Sequence, residues 1–252
     1  MLPDPPGPPA PRRSLLPRGR LPGANRHDGH ATLTGSRVWG GVFFDLDGTL
    51  ADTVELILMS YRHTMRTHLG EAPPDERWLA TLGTPLRVQL MDFAQSAAEA
   101  AAMLDTYTTF QRRVHDEMVK PFPGAAEVLK GLKARGSRVA VVTSKRDEVA
   151  RRTIEVCGLS ADVELVVSCD HVQRGKPDPE AVHYALSALG LDESPADVLF
   201  VGDSPFDLRA GRAAGTRTAA APWGAFARQA LEAERPDYFL ETLTDVLDIT
   251  PA

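Results

Sequence analysis

From Pro121 onward the sequence alternates short β-rich apolar runs with amphipathic segments that each close on a glycine, and few folds accommodate that rhythm. The strand candidates are "RVAVVT" (138–143), "VELVVS" (163–168), "DVLFVG" (197–202) and "TRTAAAP" (216–222), with "GVFFDL" (41–46) ahead of them. Between them lie "GAAEVLKGLKARG", "RDEVARRTIEVCG" and "DPEAVHYALSALG", whose terminal glycines suit a helix C-terminus. Uninterrupted apolar strands need cover on both faces, and helices joining them by right-handed crossovers supply it. The pattern predicts an α/β fold: a doubly wound, Rossmann-like parallel sheet formed by residues 38–53 and 121–252. In such a sheet ligands collect beyond the carboxyl ends of the strands.

Residues 54–120 break the rhythm. They carry almost no strand signal and read as helices, "VELILMSYRHTMRTHLG", "PDERWLATLG", "PLRVQLMDFA" and the long "SAAEAAAMLDTYTTFQRRVHDEMV". We expect a helical insertion over the active end of the sheet, with His115, Asp116 and Glu117 at a solvated helix end. Residues 1–37 differ again, holding eight of the 20 prolines and six arginines against two aspartates. This composition predicts a disordered tail or a misassigned start. It has no apolar core of a secretory signal, and no run elsewhere approaches the ~20 residues of a membrane span. The expected location is the cytoplasm, with no membrane partner. Subtracting the tail's +4 from the overall −6 leaves about −10 on the remainder, which disfavours nucleic acid as a partner. Cys157 and Cys169 are too few for a zinc site or a disulfide framework and read as buried, reduced thiols. No residue pattern speaks for or against a homodimer, which stays an open expectation.

The predicted strand ends carry concentrated chemistry. "GVFFDLDGTLADT" delivers Asp45 and Asp47, two residues apart and so starting on one face of the strand, and Gly48 turns the chain. "VVTSK" ends on Thr143 and Ser144, "RGKPDPE" contains Lys176, and "VGDSPFD" supplies Asp203 and Asp207. Carboxylates gathered this closely repel unless a cation joins them, and Mg²⁺ prefers oxygen ligands and bound phosphate. The set suggests phosphoryl transfer to a carboxylate nucleophile, Asp45, with Asp47 serving the leaving oxygen as acid and later the water as base. Mg²⁺ would be held by Asp203, one Asp45 oxygen and the Asp47 backbone carbonyl, while Thr143 and Lys176 hold phosphoryl oxygens. The plainer reading of Asp45 and Asp47 is a turn bearing solvated acids, of Lys176 a surface lysine at a helix start, and of Asp207 a first-turn acid.

These motifs, in this order, resemble those of the haloacid dehalogenase-like phosphohydrolases, and the resemblance runs from about Val42 to the C-terminus. It implies Asp45 as nucleophile, Asp47 as acid–base residue, Thr143 and Lys176 as partners of phosphate and nucleophile, and Asp203 as metal ligand. Asp207 would orient metal-bound water or Lys176. Ser144 and Gly48 would lie against the phosphorylated substrate, and the helical insertion would be a mobile cap. Within it "GTPLR" (83–87) is similar to a specificity loop, making Arg87 a candidate clamp for a carboxylate or second phosphate. The overall likeness is to the phosphoglycolate phosphatase group, and "ELILMSYRHT", "GTPLR" and "HDEMVKPFPG" lean toward its bacterial pyrophosphatase relatives. A sugar phosphomutase and a non-enzymatic, receiver-like phospho-acceptor module are weaker readings; a receiver has no use for a lid. "APWG" (221–224) reads as a strand-end turn with Trp223 against the core.

Overall fold

A computed structural model describes residues 38–251; the predicted tail therefore lies outside the described residues. The elements, in chain order, are β1 (Gly41–Phe44), β2 (Ala51–Asp52), α1 (Val54–Leu69), α2 (Asp75–Leu79), α3 (Leu86–Met91), α4 (Ala97–Met118) and β3 (Lys120–Pro121). Then follow α5 (Ala125–Ala134), β4 (Arg138–Val142), α6 (Asp147–Val156), β5 (Leu165–Val167), α7 (Glu180–Ala188), β6 (Val198–Gly202), α8 (Pro205–Ala213), β7 (Arg217–Ala220), α9 (Arg228–Glu232) and β8 (Tyr238–Phe239).

Among the described residues the main sheet runs β5-β4-β1-β6-β7-β8, and every pairing in it is parallel. Because side chains alternate along a strand, each strand feeds two cores at once. Val42, Phe44, Val139, Val141, Leu199 and Val201 point to one face, where Val128 and Leu129 of α5 and Ile154 of α6 cover them. Phe43, Ala140, Val142, Val198 and Phe200 point to the other, against Val182 and Leu186 of α7 and Ala210 of α8. This is the expected doubly wound arrangement. The chain leaves central β1, builds β4 and β5 on one side, and crosses back to build β6 and β7 on the other. The crevice where the winding reverses therefore opens beside the end of β1.

The helices of residues 54–118 have their own core. Tyr61 stacks on Trp78 with ring centroids 4.7 Å apart, Trp78 on Tyr107 at 5.9 Å, and Met65, Leu90 and Met103 fill in around them. Ala225 and Phe226, from the segment after β7, pack against this cluster. A two-residue antiparallel pair joins the chain entering this unit to the chain leaving it, Ala51 opposite Pro121 and Asp52 opposite Lys120. Neither that pair nor β8 is visible as sequence periodicity, since two residues are too few to show an alternation. Trp223 is held as expected for a strand-end turn, its indole N–H donating to Thr49 O at 3.1 Å and its ring against Phe122.

Candidate active site

β1 ends at Phe44, two residues short of the predicted run, because the backbone turns once Asp45 N–H has donated to Val201 O at 2.9 Å. The carbonyl of Leu46 then accepts the amides of Leu50 and Ala51 at 3.0 and 2.9 Å, which closes a tight loop. Gly48 sits in that loop at φ +82°, and a Cβ there would come within 2.4 Å of an Asp203 oxygen. Only glycine accepts both the conformation and the approach. Gly48, expected against the substrate, is not among the residues that line the cavity: its amide donates to Ala51 O at 2.9 Å, and its missing side chain makes room for Asp203.

Four strand ends meet here. Asp45, buried, accepts from Lys176 Nζ at 2.8 Å. The same ammonium donates to Asp207 Oδ1 at 2.5 Å and to Val142 O at 3.4 Å, so a lysine that is only 3% exposed has a full set of acceptors. Asp207 is both things the sequence suggested. Its Oδ2 accepts from Ser204 N–H at 3.1 Å and Ser204 Oγ at 2.6 Å, capping α8, while Oδ1 anchors Lys176. Asp203, directly after β6, accepts from Thr49 Oγ1 at 3.2 Å and from Ala225 N–H at 3.0 Å. No local sequence signal points to that second partner, in the turn after β7; the glycine of "APWGA" is its one trace, since a Cβ on Gly224 would meet an Asp203 oxygen at 2.1 Å.

The cluster is electrostatically strained. Carboxylate oxygens of Asp45, Asp203 and Asp207 all lie within 4.8 Å of one another. Burial pushes the Asp45 carboxyl up to about 7 although Lys176 pulls it down, and burial together with Asp207 and Asp45 raises Asp203 well above the usual range. Burial alone would lower Lys176, but Asp207 and Asp45 overcome it and hold its proton more tightly than usual. Three acids against one lysine leave a deficit of positive charge. With Asp207 committed to Lys176 and Ser204, the oxygens of Asp45 and Asp203 form a hard donor set that suits a hard divalent cation.

Asp47 does not share these partners. Its Oδ1 accepts from Thr53 Oγ1 at 2.6 Å and from Lys145 Nζ at 2.5 Å, so the two aspartates of "DLD" serve one cavity from different hydrogen-bond networks. The strand that would have kept them on one face has already ended. Thr143 is buried beside Asp45 in the cavity wall, and its Oγ1 accepts Lys145 N–H at 3.2 Å, which leaves the hydroxyl proton available to a ligand. Ser144, expected on the substrate, lines the cavity, and its Oγ donates to Gly83 O at 2.5 Å, which ties the core to the loop before α3. Beside it, a Cβ on Gly175 would meet Pro85 at 2.6 Å, so this loop lies directly on the core.

The result is a cavity of about 590 Å³ whose floor carries Asp45, Asp47, Thr143 and Asp203 and whose roof is helical. Arg87 lines it and makes no hydrogen bond or ion pair among the described residues. Trp78 Nε1 and Gln89 Oε1, in the same wall, are buried without hydrogen-bond partners. His115 is not solvated: it is 3% exposed, with Nε2 on Thr153 Oγ1 at 2.9 Å and Nδ1 on Asp116 at 2.8 Å, fastening the last turn of α4 to α6. Asp116 and Glu117 are exposed, as expected. Both cysteines are free; Cys157 is buried as expected, whereas Cys169 is only half-buried because it lies in the cavity wall, and burial pushes both thiols up to about 11, away from an activated thiolate. No described helix is long and apolar enough to cross a membrane.

A parallel sheet that gathers four aspartates, two lysines and a threonine at its switch point, under a helical roof, defines an α/β enzyme of acid-rich phosphate chemistry. The chain belongs to the haloacid dehalogenase-like hydrolases, whose family pattern matches residues 42–221, and it is a hydrolytic enzyme of the phosphatase kind. It is 38% identical over 218 residues to the pyrophosphatase PpaX of Bacillus velezensis, covering 86% of this chain and 99% of that one. It is 36% identical over 208 residues to the pyrophosphatase PpaX of Bacillus cereus, covering 82% and 94%. Among solved structures it resembles a predicted phosphoglycolate phosphatase from Haemophilus somnus (TM-score 0.76, 22% identity, 83% and 97% covered). It also resembles CbbY from Rhodobacter sphaeroides in complex with phosphate (TM-score 0.73, 24% identity, 84% and 100% covered).

Proposed function

We propose that this chain is a Mg²⁺-dependent phosphohydrolase working through an aspartyl-phosphate on Asp45, with inorganic pyrophosphate as its foremost substrate and phosphoglycolate as the second. The order reverses the sequence-based expectation, because relatives at 38% identity over nearly their whole length are pyrophosphatases, whereas the phosphoglycolate phosphatase likeness is one of fold. The observation that carries the chemistry is the buried Asp45–Lys176–Asp207 contact beside Asp203, a nucleophile oriented by a lysine next to a site short of positive charge.

Asp45 and Asp203, with the Asp47 carbonyl, would hold Mg²⁺, which when bound neutralises phosphoryl oxygens and the acids' mutual repulsion. An Asp45 oxygen attacks phosphorus as the bond to the leaving oxygen breaks, and that oxygen takes the proton of the Asp47 carboxyl. Water then attacks the same phosphorus, its proton passes to Asp47, and the Asp45 carboxylate is released with inorganic phosphate. Thr143 Oγ1 holds the transferred phosphoryl group, while Lys176, its three donors already engaged, orients the Asp45 carboxylate and offsets its charge rather than binding phosphoryl oxygens as the sequence suggested. The helical unit over the cavity acts as a cap that excludes competing water.

The test is kcat/KM for pyrophosphate, phosphoglycolate and sugar phosphates in Mg²⁺, with EDTA and Asp45→Asn as controls. The expected profile has pyrophosphate first and no turnover in either control. Undiminished turnover in Asp45→Asn would remove the covalent route. A sugar phosphate isomerised rather than hydrolysed would favour the mutase, and a phosphorylated protein that never turns over would favour the phospho-acceptor module.

A further inference from the structure

Lys145 is a cation in the cavity to which the scheme above gives no task. Its Nζ lies 2.5 Å from Asp47 Oδ1 and 3.5 Å from Thr153 Oγ1, and its side chain is 9% exposed. The backbone holds it firmly, with its N–H on Thr143 Oγ1 at 3.2 Å and its carbonyl accepting Cys169 N–H at 3.1 Å. An ammonium has three N–H donors, and these partners engage two of them. Lys176 cannot serve the same region, being spent on Asp45, Asp207 and Val142 O below the nucleophile. The two lysines thus divide the site. Lys176 belongs to the nucleophile, while Lys145 stands beside the carboxyl that serves the leaving oxygen.

We propose that Lys145 binds an anionic leaving group, making the site select substrates whose departing fragment carries negative charge: the phosphate of a pyrophosphate or the carboxylate of a phosphorylated hydroxy acid. The inference rests on the reading of Asp47 as the leaving-group acid. A cation one hydrogen-bond layer from the leaving oxygen forms a charge-assisted bond with an anionic fragment and gains much less from a neutral alcohol. With the Lys145 side chain 9% exposed, solvent screens that difference little. Arg87 lines the same cavity, so a fragment reaching beyond Lys145 still meets positive charge, whereas Arg146 in the same lining is paired with Asp170 at 3.5 Å.

The test compares the parent, Lys145→Met and Lys145→Arg on three substrates: pyrophosphate, phosphoglycolate and ethyl phosphate, the last releasing a neutral alcohol. The parent should prefer the two anionic arms, and the larger of those separates a phosphate from a carboxylate fragment. Lys145→Met should slow all three, because Asp47 loses a tether, but should cost the anionic arms about tenfold or more beyond ethyl phosphate. Lys145→Arg should keep the preference within a few-fold. A parent without the preference, or a Lys145→Met protein that loses all three activities equally, overturns the assignment.

Binding without turnover decides the matter independently. In Asp45→Asn with Mg²⁺, calorimetry should show Lys145→Met weakening pyrophosphate about tenfold while inorganic phosphate changes less; equal losses, or none, also overturn it. Normal steady-state turnover in Asp47→Asn would instead sink the reading of Asp47 and leave calorimetry to judge Lys145.

Discussion

At the residue scale, the site is governed by buried charge. The Asp45 carboxyl, raised to about 7, binds its proton more tightly in the folded protein than in the unfolded chain. The stability it contributes without metal is therefore fully present below the ordinary carboxylate pKa and lost as pH rises toward 7. Asp203, raised for the same reason, acts in the same direction. A divalent cation should matter most where both are ionised, so the rise in Tm on adding Mg²⁺ is expected to be larger at about pH 8 than at about pH 5. Differential scanning fluorimetry checks this, and a pH-independent rise would contradict it. Lys176→Met removes the lone cation from beneath three carboxylates and should lower metal-free stability by roughly 3–5 kcal/mol in urea unfolding near neutral pH. Mg²⁺ should recover part of that loss, whereas a variant that only leaves a packing defect would recover none.

Among the elements, turns and caps decide more than strands do. The loop after β1 works because Gly48 takes φ +82° with nothing on Cα to meet Asp203. Gly48→Ala should push the Asp203 carboxylate away and raise the Mg²⁺ concentration needed for half-maximal activity at least tenfold, read by metal titration. Unchanged metal dependence would show that the loop yields without cost. The glycine was conspicuous in the sequence, but its task was not, since its neighbour Asp203 lies far along the chain. The Ser204–Asp207 capping box shows the same limit. A serine and an aspartate three apart announce a helix start, yet nothing local says that the second carboxylate oxygen holds Lys176.

Across the whole molecule, closure of the helical unit on the sheet assembles the cavity. The contacts that carry it include Ser144 Oγ on Gly83 O, Pro85 over Gly175, Phe226 against the helical core, and His115 on Thr153. Ser144→Ala removes one hydrogen bond at this seam, worth about 1 kcal/mol. It should lower kcat/KM by roughly fivefold with little change in Tm. A fall in Tm without a kinetic change would assign the serine to folding instead. Because the seam unites residues 61 positions apart, no periodicity could have revealed it.

The sequence by itself determined the sheet, its helical cover and the identity of the acids at its edge. Alternation and glycine-closed helices are local consequences of backbone geometry, and an acid that follows an apolar run marks where a buried strand gives out. Only the tertiary structure decided which groups face each other: that Asp45 pairs with Lys176 while Asp47 pairs with Lys145, that Gly48 yields space to Asp203, and that Ser144 and His115 fasten the helical unit to the core. The physical reason is one of range. Conformational preference acts over a few residues, whereas electrostatic and hydrogen-bond partners are chosen by distance in space, which chain separation does not encode.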